Sequence, residues 1–174
     1  SQRRTFASRK LGTNPLRRIR WSAQKKDSSQ SCRGDLMVEM SEPSHLTDMA
    51  VEIGIQRGEW GAGKSSVFLI IESKHCNKGG VAHGGLYTMM LDMALGGALV
   101  SILPKQEWCA TTQLSISFIS AARPDEKITA SGNVVKRGKH VAHLEGEITT
   151  DSGRTIATAT GTWAIWDHKP ASMS

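Results

Sequence analysis

Cysteine is scarce in this sequence of 174 residues. The three cysteines, Cys32, Cys76 and Cys109, are widely spaced, odd in number and form no CxxC pair. Such a set predicts no disulfide framework and favours a reducing compartment. An apolar signal-peptide core is also lacking near residue 1, so we expect a cytoplasmic protein.

Acidic residues are nearly absent from residues 1–34, where ten Lys and Arg residues face a single acid, Asp27. This segment carries a charge of about +9, whereas residues 35–174 carry about −3. The net charge of +6 therefore comes from the leader and predicts no nucleic-acid partner for the rest of the chain. We expect residues 1–34 to be a disordered basic leader, with a targeting or anionic-surface role as the alternative. Residues 35–166 are predicted to form one domain, and residues 167–174 a loose tail.

Charge is also scarce between residues 81 and 103, where Asp92 is the one carboxylate. This run is long enough for a membrane span, but a carboxylate at its centre would cost about 2.5–3.5 kcal/mol on insertion. The glycine pairs at 84–85 and 96–97 dilute its hydrophobicity further. The run therefore predicts no membrane span but a helix buried in the core of a domain, ending before Pro104.

Outside this run, apolar residues mostly alternate with polar ones, which is typical of strands with one buried face. A short helical piece is predicted within residues 36–49 and a strand at residues 50–57. Further strands are predicted at residues 66–71, 108–121, 127–135, 140–149 and 155–166. Since strands that are joined by short turns pair antiparallel, we predict an α+β domain in which an antiparallel sheet curls around one long central helix.

The segment Gly58–Ser65 matches the phosphate-binding pattern GxxxxGK[ST]. In a nucleotide-binding loop, the N-terminus of a following helix helps to surround a phosphate. Here the next residues include Val67 and Phe68 and predict a strand instead. The segment is therefore interpreted as the turn of a β-hairpin.

The start of the predicted helix suits an oxygen that carries negative charge. Free N–H groups and the positive end of the helix dipole lie there, and Gly84 has no side chain to block an approach. These are the features of an oxyanion hole. Asp92 is then a candidate general base or nucleophile, with an acid that faces a polar gap at an interface as the alternative.

The spacing of Gly84 and Asp92 bears on how many subunits form such a site. Eight residues span about 12 Å along a helix, whereas reacting atoms must approach to about 3–3.5 Å. If both residues act on one carbonyl group, they must come from different copies of the chain. Two antiparallel helices across a two-fold axis would achieve this, which predicts a homodimer with two composite sites.

The arrangement Asn77-x5-His83-Gly-Gly-x6-Asp92, followed by a long strand from Thr111, resembles the hotdog-fold acyl-CoA thioesterases of the PaaI-like family. The resemblance covers residues 48–166 and implies the hotdog fold, whose sheet wraps the central helix. It also implies hydrolysis of an acyl-CoA thioester to the free acid and CoA. Coenzyme A would enter only as part of the substrate, with no metal or other cofactor, and the dimers could pair into tetramers.

The resemblance implies a role for each residue of this motif. The N–H of Gly84 would polarise the thioester carbonyl, and Asn77 would hold that carbonyl or the attacking water. His83 would shape the turn and contact the substrate. Asp92 of the partner subunit would activate water or attack directly. A purely turn-forming role is the alternative for His83 and Asn77.

Two further groups complete the candidate site. Thr111, with Thr112 as the alternative, would orient the attacking water. Arg137, Gly138 and Lys139 in a basic hairpin turn would meet the phosphates of CoA, with an ordinary solvated turn as the alternative.

The residue pattern also bears on the substrate and on other functions. An aryl or medium-chain acyl group is expected, because the pocket is predicted to be lined by Met89, Met90, Leu91 and Met93 together with aromatic strand residues. The alternatives are a dimer that binds or senses acyl-CoA without turnover, and a hotdog dehydratase.

Overall fold

The structure, a computed structural model, describes residues 38–171, so the predicted leader at residues 1–34 lies outside the described residues. The described part begins with helix α1 (Asp48–Ile53) and the hairpin of strands β1 (Gln56–Gly61) and β2 (Lys64–Ile70). A 3-10 turn (Ser73–His75) leads to the long helix α2 (Gly84–Val100). Four strands follow: β3 (Trp108–Phe118), β4 (Lys127–Arg137), β5 (Val141–Thr150) and β6 (Thr155–Trp166).

The six strands form one sheet in the order β1-β2-β4-β5-β6-β3, and every neighbouring pair is antiparallel. Helix α2 packs against all six strands, most extensively against β4 and β2. The predicted α+β architecture, a hotdog fold with an antiparallel sheet wrapped around one long helix, is confirmed. Strands β1 and β3 are the two edges of the sheet, and β3 carries part of the candidate site.

The sheet approaches α2 so closely that two strand positions must be glycine. A Cβ built on Gly132 would lie 2.6 Å from the backbone oxygen of Ala94. A Cβ on Gly146 would lie 2.5 Å from the carbonyl oxygen of Ser131, on the neighbouring strand β4, and 3.0 Å from a methyl group of Leu95. Real Cβ atoms do not fit at these distances, so a side chain at position 132 would push the sheet off the helix, and one at position 146 would force β5 away from β4.

The strand predicted at residues 50–57 is wrong for residues 50–53, because residues 48–53 form α1 and β1 begins only at Gln56. The helical piece predicted within residues 36–49 overlaps α1 only at residues 48–49. Thr47 caps this helix, its Oγ1 accepting a hydrogen bond from the N–H of Ala50 at 3.4 Å, and Gly54 ends it in the left-handed conformation at φ 93°. Ala50 and Ile53 on α1, with Leu46 just before the helix, pack inward against the core. Their spacing of four and three is helical, and it outweighs the alternation of Val51 with its neighbours that suggested a strand.

The hairpin interpretation of the segment Gly58–Ser65 is confirmed. Strands β1 and β2 pair across it, and the turn itself is Ala62–Gly63, both at positive φ. The N–H of Gly63 donates to the hydroxyl of Ser101 at 2.9 Å, and strand β2, not a helix, follows. This geometry does not build a phosphate-binding loop.

Helix α2 begins where the sequence predicts but ends at Val100, three residues before Leu103. Within residues 38–171, no helix is long and apolar enough to cross a membrane. The same residues contain no group of three or more His, Cys, Asp or Glu side chains that could hold a metal ion.

Candidate active site

A tight turn built by Asn77 precedes α2. The N–H of Asn77 donates to the carbonyl of Val81 at 2.8 Å, and its carbonyl accepts from the N–H of Gly80 at 3.0 Å. Its side-chain oxygen accepts from the N–H of Gly79 at 2.8 Å. Asn77 therefore forms the turn, and its side-chain NH₂ group, which meets no acceptor within residues 38–171, points to solvent as a donor.

His83 caps the first turn of α2. Its Nδ1 accepts a hydrogen bond from the N–H of Gly85 at 2.9 Å, so the neutral ring carries its proton on the exposed Nε2. The N–H of Gly84, the first helical residue, has no acceptor among the described residues. Because His83 uses the N–H of Gly85, Gly84 presents the free N–H at this end of the helix.

An open depression of about 340 Å³ lies beside Gly84. Its walls are Ala82, Tyr87 and the end of β3 with the segment that follows it, Phe118–Ala121. A Cβ on Gly84 would lie 3.3 Å from the ring of Phe118, which is 59% exposed. Gly84 thus borders a space that is large enough to admit a ligand group and is flanked by an aromatic ring.

Asp92 lies two turns further along α2 and is half-buried. The hydroxyl of Thr111 on β3 donates a hydrogen bond to its Oδ1 at 2.7 Å. Thr112 lies at a bulge of β3 and donates to the carbonyl of Thr162 instead, at 2.9 Å. Of the two candidate hydroxyls, Thr111 is therefore the one that the fold places on Asp92, and it leaves Oδ2 available for another partner.

Cys109 shares the inner side of β3 with Thr111. Burial, with a smaller contribution from the nearby charge of Asp92, raises the pKa of the Cys109 thiol to about 11. The thiol is therefore protonated at neutral pH and is a poor nucleophile. Of the two groups, the carboxylate of Asp92 therefore remains the candidate for chemistry in this region.

The candidate residues form two separate groups within one chain. Asn77, His83 and Gly84 meet at the start of α2, whereas Asp92 and Thr111 meet at its middle. The structure does not bring these groups together in a single chain, as the length of the helix between them requires. Within one chain, each group therefore supplies only part of the predicted site.

The basic hairpin turn offers fewer free cations than the sequence suggests. Arg137 pairs with the carboxylate of Glu107, just before β3. The N–H of Gly138 donates to the carbonyl of Val141 at 2.8 Å and so closes the turn. Lys136 and Lys139 are exposed and have no ion-pair partner within residues 38–171, which leaves these two as the cations at this end of the hairpin that a phosphate could reach.

The predicted lining of the acyl pocket is wrong for two of its four residues. Met90 and Leu91 are fully buried against the sheet, because they lie on the core face of α2. Met89 and Met93 are half-buried on the other face. With 3.6 residues per turn, four residues within a stretch of five on a helix cannot all face one cavity.

Sequence reasoning missed the residues that hold the wall of the depression. Arg154, after the β5–β6 turn, donates to the carbonyl of Ala121 at 2.8 Å and to the hydroxyl of Ser120 at 3.1 Å. It also pairs with Glu126. The hydroxyl of Tyr87 accepts from the N–H of Ala122 at 2.9 Å. No sequence signal marks Arg154, because its partners are about thirty residues away.

Comparison with known proteins places this geometry among enzymes that cleave esters and thioesters. A model of the thioesterase superfamily matches residues 79–157, which contain His83, Gly84, Asp92 and Thr111 but not Asn77. The chain is 32% identical over 99 residues to PA0474 of Pseudomonas aeruginosa, which carries a provisional esterase name, covering 57% of this chain and 73% of that protein. It is 28% identical to mouse acyl-coenzyme A thioesterase 13 over 88 residues, covering 50% of this chain and 62% of that protein.

Solved structures share the fold. The Escherichia coli PaaI protein of the phenylacetic acid degradation operon superposes with a TM-score of 0.66 at 20% identity, covering 71% of this chain and 87% of that one. A Streptococcus mutans protein bound to acetyl-CoA superposes with a TM-score of 0.64 at 21% identity, covering 73% of this chain and all of the other. At these identities the likeness concerns the fold alone.

Proposed function

The chain belongs to the thioesterase superfamily and is an acyl-CoA thioesterase, and from this premise we propose that Asp92 activates the water that cleaves its substrate. The observation that carries the proposal is the hydrogen bond from Thr111 to Asp92. It holds a half-buried carboxylate in one orientation on an otherwise uncharged helix. A carboxylate that is fixed in this way can accept a proton from water through its second oxygen.

In the proposed hydrolysis, one water molecule attacks the thioester, and Asp92 carries one proton between the water and the leaving thiolate. Asp92 accepts a proton from the water as the water oxygen attacks the carbonyl carbon. The N–H of Gly84 stabilises the oxyanion of the tetrahedral intermediate, and the NH₂ group of Asn77 supplies a second donor. When the C–S bond breaks, the CoA thiolate takes from Asp92 the proton that Asp92 accepted from water. The products are the free acid and CoA.

A homodimer with composite sites supplies the geometry that one chain lacks. Strand β3 is an edge of the sheet, and Leu114, Ile116 and Phe118 on it remain partly or largely exposed. The uncovered side of α2 is also apolar, with Met89, Met93 and Val100 half-buried. An exposed strand edge next to an apolar helix face favours pairing with a second copy.

The substrate is proposed to be the CoA thioester of an aryl or medium-chain acid. Two observations support a CoA ligand. The S. mutans structure with the same fold is bound to acetyl-CoA, and Lys139 in the β4–β5 turn is exposed and has no ion-pair partner among the residues that the structure describes. We propose that Lys139 binds the CoA phosphates. Arg137 binds them as well, either after it leaves Glu107 or while it still pairs with it. The turn that is closed at Gly138 positions both side chains.

The test is a thiol-release assay on a panel of acyl-CoAs with the Asp92→Asn variant. Loss of the carboxylate should lower kcat by about 10²–10⁴-fold, which is the usual contribution of a general base, with little change in folding. Asp151→Asn, an exposed turn position on the same domain, is the matched control and should keep wild-type turnover.

Wild-type turnover in Asp92→Asn would exclude this mechanism. If the wild-type chain binds acyl-CoA tightly but releases no thiol from any member of the panel, the chain is a binding module instead.

A further inference from the structure

The 3-10 turn before α2 ends at a buried histidine, His75, which belongs to neither part of the candidate site. The residue is 7% exposed, and both nitrogens of its ring have partners. Nδ1 lies 2.8 Å from the backbone nitrogen of Glu72, and Nε2 lies 2.8 Å from the carbonyl oxygen of Ile53 at the end of α1. The ring thus ties the turn before α2 to a different helix.

The two partners fix the tautomer of this ring. The N–H of Glu72 can only donate a hydrogen bond, so Nδ1 accepts it and carries no proton. The carbonyl of Ile53 can only accept, so Nε2 carries the proton. His75 is therefore the neutral Nε2–H tautomer, held between a donor on its own turn and an acceptor 22 residues away in the chain.

The residues after this ring form a small antiparallel hairpin with two arms, residues 75–77 and residues 81–83. An isolated bridge pairs the arms at their centre. The carbonyl of His75 accepts from the N–H of His83 at 2.9 Å and closes the open end. Asn77 ends the first arm, and α2 begins directly after the second arm. The pairing of the arms therefore sets the distance between the two proposed oxyanion donors.

Different contacts hold the two arms on the domain. The N–H of Ala82 in the second arm donates to the carbonyl of Ala122 at 2.9 Å. For the first arm and the turn before it, the bond from His75 to Ile53 is, among the described residues, the one hydrogen bond that reaches beyond residues 72–83. The ring of His75 therefore holds one donor arm, and the segment after β3 holds the other.

We propose that His75 is a positioning residue, whose neutral ring sets where the NH₂ group of Asn77 stands relative to the N–H of Gly84. The proposal rests on the proposed thioester hydrolysis, in which these two donors stabilise the oxyanion. Such donors must lie about 2.7–3.1 Å from the oxyanion, and a misplacement of about 1 Å can lower the rate about 10²-fold. Loss of the His75 tether should lower kcat more than it changes KM, because the oxyanion exists only beyond the ground state.

The first test is His75→Asn, whose side-chain oxygen can replace Nδ1 but which has no group long enough to reach Ile53. We expect kcat to fall about 10²-fold, with KM within about twofold of the wild-type value. His75→Gln, whose longer NH₂ group can donate to the Ile53 carbonyl, should restore most of the lost kcat. Thr47→Ala is the matched control, because it removes the cap at the other end of α1. It should lower the melting temperature and keep the wild-type kcat.

A double-mutant cycle separates positioning from a general loss of stability. Gly84→Pro removes the N–H of the first residue of α2, where proline is tolerated. If His75 acts by aligning the two donors, His75→Asn should lower kcat far less in the Gly84→Pro background than in the wild type. The same fold-loss in both backgrounds would overturn the proposal, and so would a loss in Thr47→Ala as large as that in His75→Asn.

NMR measurements on the chain need no turnover. Ring-nitrogen spectra of the wild type should show His75 as the Nε2–H tautomer, and a proton on Nδ1 instead would overturn the proposal even if His75→Asn does not fold. If the wild type releases no thiol from any acyl-CoA of the panel, the proposed hydrolysis fails, and amide exchange at His83 decides the tether separately. Faster exchange in His75→Asn than in the wild type would support the tether, and equal exchange would refute it.

Discussion

At the scale of single residues, His83 gives the two adjacent glycines at the start of α2 different roles. The ring of His83 accepts from the N–H of Gly85 and leaves the N–H of Gly84 without an acceptor among residues 38–171. The cap thus fixes the turn and also selects which amide is available. A structural and a catalytic role for His83 are therefore compatible.

A proline at position 84 isolates the contribution of this one N–H. Gly84 is the first residue of α2, where proline is tolerated, and His83 has the extended conformation, φ −70° and ψ 135°, that precedes proline readily. Gly84→Pro should lower kcat by about 10²–10³-fold, the usual loss of one oxyanion donor. Gly84→Ala, which makes the same contact with Phe118 but keeps the N–H, is the control, and equal losses in the two variants would attribute the effect to crowding.

At the scale of elements, the segment between β3 and β4 forms one wall of the Gly84 depression and is tied to its neighbours by side chains. Arg154 holds Ser120 and Ala121 and pairs with Glu126. The second oxygen of Glu126 accepts from the N–H of Arg123 at 2.7 Å. The wall is thus fixed by Arg154 from the end of the β5–β6 turn together with the local bond between Arg123 and Glu126.

The bonds of Arg154 and Arg123 to Glu126, here called the Glu126 clamp, predict a pH-dependent contribution to stability. Hydrogen bonds from the N–H of Arg123 and then from the side chain of Arg154 lower the pKa of Glu126. A carboxylate whose pKa is lower in the folded state stabilises the fold at pH values above its pKa in the unfolded state. This stabilisation is lost as the pH falls through the folded-state pKa. The melting temperature of the wild type should therefore exceed that of Glu126→Gln at neutral pH. This difference should shrink as the pH falls below about 4.3, the ordinary pKa of glutamate.

Thermal melts between pH 7 and pH 3 measure this gap. Glu145→Gln, an exposed position on β5, should show no such pH-dependent difference. If the melting-temperature difference between wild type and Glu126→Gln stays constant down to the lowest pH, the charge of the carboxylate contributes nothing to the stability that the Glu126 clamp provides.

At the scale of the whole molecule, the two half-sites lie on one helix but act on different substrates if the dimer forms as proposed. Each end of α2 would serve a different active site across the two-fold axis. A single subunit would then contribute to both sites and complete neither.

Subunit complementation tests this arrangement. Gly84→Pro and Asp92→Asn should each be nearly inactive alone, but a mixed dimer contains one site with both wild-type groups. After unfolding and refolding together in equal amounts, the mixture should recover about a quarter of the wild-type specific activity. No recovery in mixed dimers that size-exclusion chromatography and mass spectrometry confirm would show that both groups act within one chain.

The sequence by itself determined the architecture and the two ends of the candidate site. The uncharged run around Asp92 predicted a buried helix, and the alternating segments after it predicted antiparallel strands, because periodicity reports which face is buried. Glycines and the capping histidine marked the start of α2 to within a residue. The distance along that helix required two half-sites before any fold was known.

Only the tertiary structure decided which distant residues meet these groups. It placed Thr111 rather than Thr112 on Asp92 through a bulge in β3, and it turned Met90 into the core. It also placed Arg154 against the segment 120–126 and His75 against Ile53. Local sequence carries no signal for such contacts, because they depend on how the sheet curves and where its strands register around the helix.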